Sequence, residues 1–95
     1  MIKVEGVPIR IVWVPDLGDN DSKAQSVTDK CEIRIDSKYY GSPYARLLFL
    51  HELHHFAETW KGRDLEEDDI YALSGGVNEA IGHLIDWASI DPGLA

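Results

Sequence analysis

The segment GSPYARLLFLHELHHFAETWKG, residues 41–62, constrains the fold more than any other part of this 95-residue chain. Ser42 is an N-cap residue type, and Pro43 sits at the first helical position, where its missing N–H costs no hydrogen bond. Gly62, just past Trp60 and Lys61, is a natural helix stop. Between these signals Leu47, Leu48, Phe49, Leu50, Leu53, Phe56, Ala57 and Trp60 cover most of the helix circumference. A helix this apolar around its axis is central and buried on several sides. Ninety-five residues make one domain, 1–95, near the lower end of what buries a self-sufficient core. The rest of the chain must therefore supply the cover.

The part before this helix reads as strands. VPIRIVWV alternates, with Ile9, Ile11 and Trp13 on one face and Arg10, Val12 and Val14 on the other. Pro8 and Pro15 bracket it, as at strand ends or an edge. DLGDNDSK, residues 16–23, is a polar turn or loop, and AQSVT reads as a short strand. CEIRID alternates strictly, with Ile33 and Ile35 inward and Glu32, Arg34 and Asp36 outward, which predicts a half-buried strand at a sheet edge. Cys31 is expected to be a small residue of that strand.

After the central helix, a second helix is predicted from about Leu65 to Ser89, ended by DPG. Its acidic first turn, residues 66–69, suits the helix dipole. Ile70, Leu73, Val77, Ile81 and Leu84 form its apolar stripe. Gly75 and Gly76 inside it each cost roughly 1 kcal/mol against alanine. The expectation is that another backbone comes close there, with the second helix crossing the first near Ser74–Gly76. The predicted class is α+β: a small antiparallel sheet packed on a two-helix pair.

Composition narrows the function. A net charge of −8 makes nucleic acid a poor partner, because no basic surface is available to release phosphate counterions. No apolar run approaches bilayer length, and MIKVEGVPIR lacks the apolar core of a secretion signal. One cysteine excludes an internal disulfide framework and is too few for a cysteine zinc site. The expectation is a cytoplasmic protein that binds neither nucleic acid nor membrane.

The chemistry sits on the central helix. His51-Glu52-Leu53-His54-His55 satisfies the pattern HExxH. Residues at i and i+4 stack one turn apart on one helix face, so His51 and His55 can bind one Zn²⁺. Glu52 follows the first ligand and projects beside the metal, placed to act as the general base toward a metal-activated water. Two imidazoles on so apolar a helix would otherwise need partners. His54 lies off the ligand face and is expected at the rim.

A catalytic zinc site usually has three protein ligands. The acidic run Glu66–Asp69 starts the second helix, a short loop away from His55. Glu67 lies three residues before Ile70 and points to the inner side, so it is the expected third ligand, with Glu66 in reserve. Asp69, Glu79 and His83 are further candidates. The Asn78-Glu79 pair resembles the Asn-Glu pair of thermolysin-like gluzincins, but it lies 24 residues after His55, past the expected metal position. Tyr39, Tyr40, Tyr44 and Tyr71 are available to stabilise an oxyanion. Trp13, Trp60 and Trp87 read as core.

LLFLHELHHFAETW followed by LEEDDIYALSGGV resembles the ImmA/IrrE-type zinc metallopeptidases, in particular the very small versions typical of phages and prophages. That family has a short alternating strand before the motif helix, here CEIRID. Its second helix is patterned E-x-x-V-x-x-L-A, here Glu67-x-x-Ile70-x-x-Leu73-Ser74. The resemblance covers about residues 26–85. It implies a minimal zincin-like fold, zinc held by His51, His55 and an acidic residue of the next helix, and Glu52 as general base. The implied activity is a zinc-dependent metallo-endopeptidase acting on a protein or peptide substrate. In zincins an extended substrate pairs with an edge strand near the site, and CEIRID is the expected strand. The competing reading is a non-catalytic zincin-fold protein whose structural zinc, closed by a further ligand such as His54 or Asp69, supports a binding or regulatory role. A metal-dependent hydrolase with a non-peptide substrate is a third.

Overall fold

The computed structural model describes residues 2–4, 6–17, 23–62 and 65–95. Residues 18–22, most of the predicted loop 16–23, lie outside the described residues. Four strands are formed: β1 (Ile2–Val4), β2 (Val7–Val14), β3 (Ala24–Val27) and β4 (Glu32–Asp36). They make one sheet in the order β1-β2-β4-β3. β1 pairs antiparallel with β2, and β3 antiparallel with β4, but β2 and β4 run parallel, with Ile11 opposite Ile33. The sheet is therefore mixed, where an antiparallel one was expected. The reason is that β3 folds back along the outer side of β4 through the turn Thr28–Lys30, leaving β4 to re-enter beside β2 in the same direction. Cys31 closes that turn with φ +54 and is not part of the strand. Pro8 is tolerated within β2 because β2 pairs only with β1 over residues 7–9 and takes β4 as neighbour from Arg10 onward.

This topology corrects the placement of CEIRID. β4 is an interior strand, and the edge nearest the helices is β3. Glu32 and Asp36, expected outside, are buried. Glu32 is flanked by Arg10 and Arg34, which pair with its carboxylate. Asp36 accepts hydrogen bonds from the backbone N–H groups of Leu17 and Lys38.

The central helix, α1 (Pro43–Lys61), has the predicted bounds. Gly62 ends it at φ +67, its N–H reaching back to the carbonyls of Glu58 and Thr59. Ser42 occupies the N-cap position, but its buried hydroxyl makes no capping hydrogen bond; the backbone bonds from Ser42 N to Tyr39 O and from Ala45 N to Ser42 O shape this start. Ile9, Ile33 and Ile35 from the sheet meet Ala45, Phe49, Leu50 and Phe56 from α1, with Trp87 and Leu94 closing the core.

The second helix, α2 (Glu67–Ile81), ends eight residues earlier than the sequence predicts. A turn over Gly82–Leu84 and a short helix α3 (Trp87–Ile90) follow. The chain turns there because Trp87 inserts into the core, edge-on to Phe49, while its indole N–H donates to Gly82 O at 2.9 Å. α2 crosses α1 at Ser74, which is fully buried, yet a Cβ on Gly75 or Gly76 would meet nothing within 4 Å. The expected close backbone approach at those glycines is absent. The DPG segment ends α3, with Asp91 as its C-cap, rather than α2, and Pro92–Leu94 folds back as a latch. Asp91 accepts from the Trp13 indole at 3.0 Å, Leu94 is fully buried, and Gly93 lies so close to Trp13 that a Cβ would fall 2.3 Å from its ring.

Among the described residues, no helix is long and apolar enough to cross a membrane.

Candidate functional site

The i, i+4 spacing on α1 sets His51 and His55 one turn apart, with ring centroids 5.0 Å apart and Nε2 atoms 3.3 Å apart. Gly62 lets the chain reverse, and the first turn of α2 then lies over this pair. Glu67 is the residue that arrives. Its Oε1 is 2.7 Å from His51 Nε2 and its Oε2 is 3.4 Å from His55 Nε2. Four-coordinate zinc with bonds of about 2.0–2.1 Å holds its ligand atoms about 3.3 Å apart. The imidazole pair and the His55–Glu67 pair have that spacing, while the His51–Glu67 separation is that of a charge-assisted hydrogen bond. Two imidazoles and a carboxylate are a donor set suited to a divalent cation, so His51, His55 and Glu67 could hold a metal ion. A carboxylate oxygen of Glu52 also lies within 4.8 Å of the two histidine donors.

The other candidate ligands are placed elsewhere. Glu66 is exposed at the N-cap of α2, where its backbone carbonyl accepts from the N–H groups of Asp69 and Ile70. Asp69 and Glu79 are exposed, and His83 is exposed on the turn after α2. His54 faces the helix crossing: its Nδ1 donates to Leu50 O at 2.7 Å and lies 3.3 Å from the Ser74 hydroxyl.

Two side chains that sequence reasoning missed hold the site's parts in place. Glu58 lies one turn after His55. Its Oε1 is 3.3 Å from His55 Nδ1, and its Oε2 accepts from Leu65 N at 2.6 Å. The Leu65 N–H, and then His55, hold the Glu58 carboxyl below the usual carboxylate range. One carboxylate thus aims an imidazole and ties down the chain two residues before Glu67. The i, i+3 spacing from His55 was a visible signal for it. Ser26 on β3 is the second. Its hydroxyl lies 2.5 Å from Glu52 Oε2 and 2.9 Å from Glu52 O, fixing a side chain that is buried on α1. No local signal points to Ser26, because it depends on β3 lying against α1. His51 Nδ1, by contrast, is buried with no hydrogen-bond partner among the described residues.

Of the four tyrosines, two line the cleft beside the site. Tyr71 stacks on His51 with ring centroids 4.4 Å apart, and Tyr44 stands opposite. Tyr39 packs edge-on to Tyr44, and Tyr40 edge-on to Trp13. Lys23 donates to the Tyr44 hydroxyl at 3.2 Å, and that contact raises the lysine above its ordinary range. The cleft of about 380 Å³ that these residues line also reaches His51, Glu52 and Glu67. A second hollow of about 420 Å³, lined by Ser26, Thr28, His55 and Thr59, meets it at Glu52. Together they follow the junction of β3 and α1, with Glu52 at the middle.

No family model matches the chain, and no match was found among curated proteins or solved structures.

Proposed function

We propose that the chain is a zinc-dependent metallo-endopeptidase with a zincin-like arrangement, in which His51, His55 and Glu67 hold the metal and Glu52 is the general base. The observation that carries this reading is the convergence of both imidazole Nε2 atoms and the Glu67 carboxylate beside a buried glutamate. Bound Zn²⁺ would polarise the substrate carbonyl and make a coordinated water acidic enough to attack near neutral pH. Glu52 Oε2 is held by Ser26, so the carboxylate is fixed in orientation and Oε1 is left to take the proton and pass it to the leaving amine. Tyr44, Tyr71 and Lys23 are the donors on the cleft wall suited to the developing oxyanion. An extended peptide would add to the outer edge of β3, the strand that borders both hollows, rather than to CEIRID.

One observation favours a second reading. Glu52 is close enough to the histidine donors to serve as a fourth ligand, which would close the site and make the metal structural. Glu52→Gln separates the two. The enzyme reading expects the variant to keep one zinc per chain and to lose cleavage of a mixed peptide library that the wild type cuts. A variant that loses its zinc, or a zinc-loaded wild type that cuts nothing, supports the closed site.

A further inference from the structure

We propose that Lys23 and Tyr44 form a carboxylate-binding subsite in the cleft beside the candidate metal site, selecting a peptide that carries an acidic group next to the bond to be cut. The place of that bond rests on the metallo-endopeptidase reading; the carboxylate held at Lys23 is the added element. Among the described residues that line this cleft, Lys23 is the one cation. The two carboxylates of the cleft are engaged elsewhere, Glu52 with Ser26 and Glu67 with His51 and His55. Among the described residues, the Lys23 ammonium pairs instead with an uncharged partner. It donates to the Tyr44 hydroxyl at 3.2 Å and lies 5.2 Å from the centre of the Tyr44 ring. An ammonium has three N–H donors and no acceptor, so the Tyr44 bond uses only one of them. Because the phenol oxygen accepts that bond, its own O–H stays a donor. Tyr44 is itself braced by Tyr39, whose ring meets it edge-on at 5.1 Å.

The rest of the cleft suits the stem of such a group. Ala24, Leu48 and the Tyr44 and Tyr71 rings give it apolar walls, and Tyr71 is held there by its stack on His51. A short methylene stem along these walls with a negative tip at Lys23 describes a glutamate or aspartate side chain. A peptide's terminal carboxylate has the same chemistry. Net charge limits the substrate to few such groups. At −8, the chain repels a polyacidic peptide over the rest of its surface, so the selection is local, made at one substrate position. Lys23 is exposed, which sets the preference at a few-fold and makes it sensitive to salt.

The test measures binding of short fluorescent peptides to the whole chain carrying Glu52→Gln, with Zn²⁺ added. Three amidated peptides share a neutral sequence and differ at one central residue: glutamate, glutamine or lysine. A fourth stops at that position in a free carboxylate. Binding an intact peptide develops no oxyanion, so the ratios read the carboxylate contact alone. The glutamate peptide is expected to bind about three- to fivefold tighter than the glutamine peptide, less so in high salt. The preference should vanish in Lys23→Gln and turn toward the lysine peptide in Lys23→Glu. Lys3→Gln on β1 changes the net charge equally and should keep it. Preference for the fourth peptide over the glutamate peptide would leave the subsite standing and assign it to a chain terminus. The subsite is overturned if no peptide binds, if glutamate is not preferred over glutamine and the fourth peptide is not preferred either, or if the preference survives Lys23→Gln or is lost equally in Lys3→Gln. Wild type and a mixed peptide library separate this from the peptidase reading. Cleavage with no acidic preference overturns the subsite alone, whereas the binding preference without any cleavage supports the subsite and removes the peptidase.

Discussion

Glu58→Ala tests how the metal site is assembled. Glu58 bears on two of the three proposed ligands. Its Oε1 fixes His55 through Nδ1, and its Oε2 anchors Leu65 N at 2.6 Å, two residues before Glu67. Alanine frees the imidazole to rotate and releases the start of α2. Removing the partner that orients a metal-bound histidine typically costs about 10–100-fold in metal affinity. Because the same change also loosens Glu67, the expected loss lies near the upper end, about 100-fold. Glu58→Gln keeps one acceptor oxygen for the Leu65 N–H or the imidazole but not for both, so its loss is expected near about tenfold. Zinc affinity is read by competition with a chromophoric chelator, and circular dichroism confirms that each variant is folded. A folded Glu58→Ala protein that binds zinc as tightly as wild type would refute the argument that this carboxylate organises the site.

Three further outcomes are expected. Phe56→Ala removes a fully buried ring where α1 meets the sheet and should cost about 3–5 kcal/mol, a large share of the roughly 5–15 kcal/mol that holds a domain of this size, read by urea unfolding. Gly93→Ala would drive a Cβ into the Trp13 ring and should cost about 1–3 kcal/mol, with Trp13 fluorescence reporting a displaced C-terminal latch. Because the Glu58 carboxyl is lowered in the folded chain, its contribution is present above the ordinary carboxylate range and is lost as pH falls through its folded value. The protection of the Leu65 amide against hydrogen exchange, measured relative to its intrinsic rate at each pH, should therefore fall in acid, and should show no such pH dependence in Glu58→Gln.

Local signals carried much of the fold. The Pro43 start, the Gly62 stop and the apolar circumference marked α1 to the residue, the alternation in VPIRIVWV marked β2, and AQSVT read as a short strand where β3 forms over Ala24–Val27. What those signals do not encode is which strand lies beside which. Alternation in CEIRID is the same for an edge strand and for an interior strand whose outer face is neutralised by Arg10 and Arg34, so the mixed sheet and its true edge were not legible. Periodicity also ran through Ile81 and Leu84 without marking the turn, because the turn is set by the insertion of Trp87 into the core. In the site, helical spacing put Glu67 beside His51 and His55, and the structure brings those three together. Ser26 was beyond reach, since 26 residues separate it from Glu52 and only the tertiary fold joins them.

The most direct test of the central claim is the zinc content of the purified chain and of His51→Ala, His55→Ala and Glu67→Ala, measured by elemental analysis alongside thermal unfolding with and without added Zn²⁺. The account predicts one zinc per wild-type chain, a rise in unfolding temperature on zinc addition, and loss of both in each histidine variant, with Glu67→Ala binding more weakly. A wild-type chain that carries no metal and gains no stability from Zn²⁺ would contradict it.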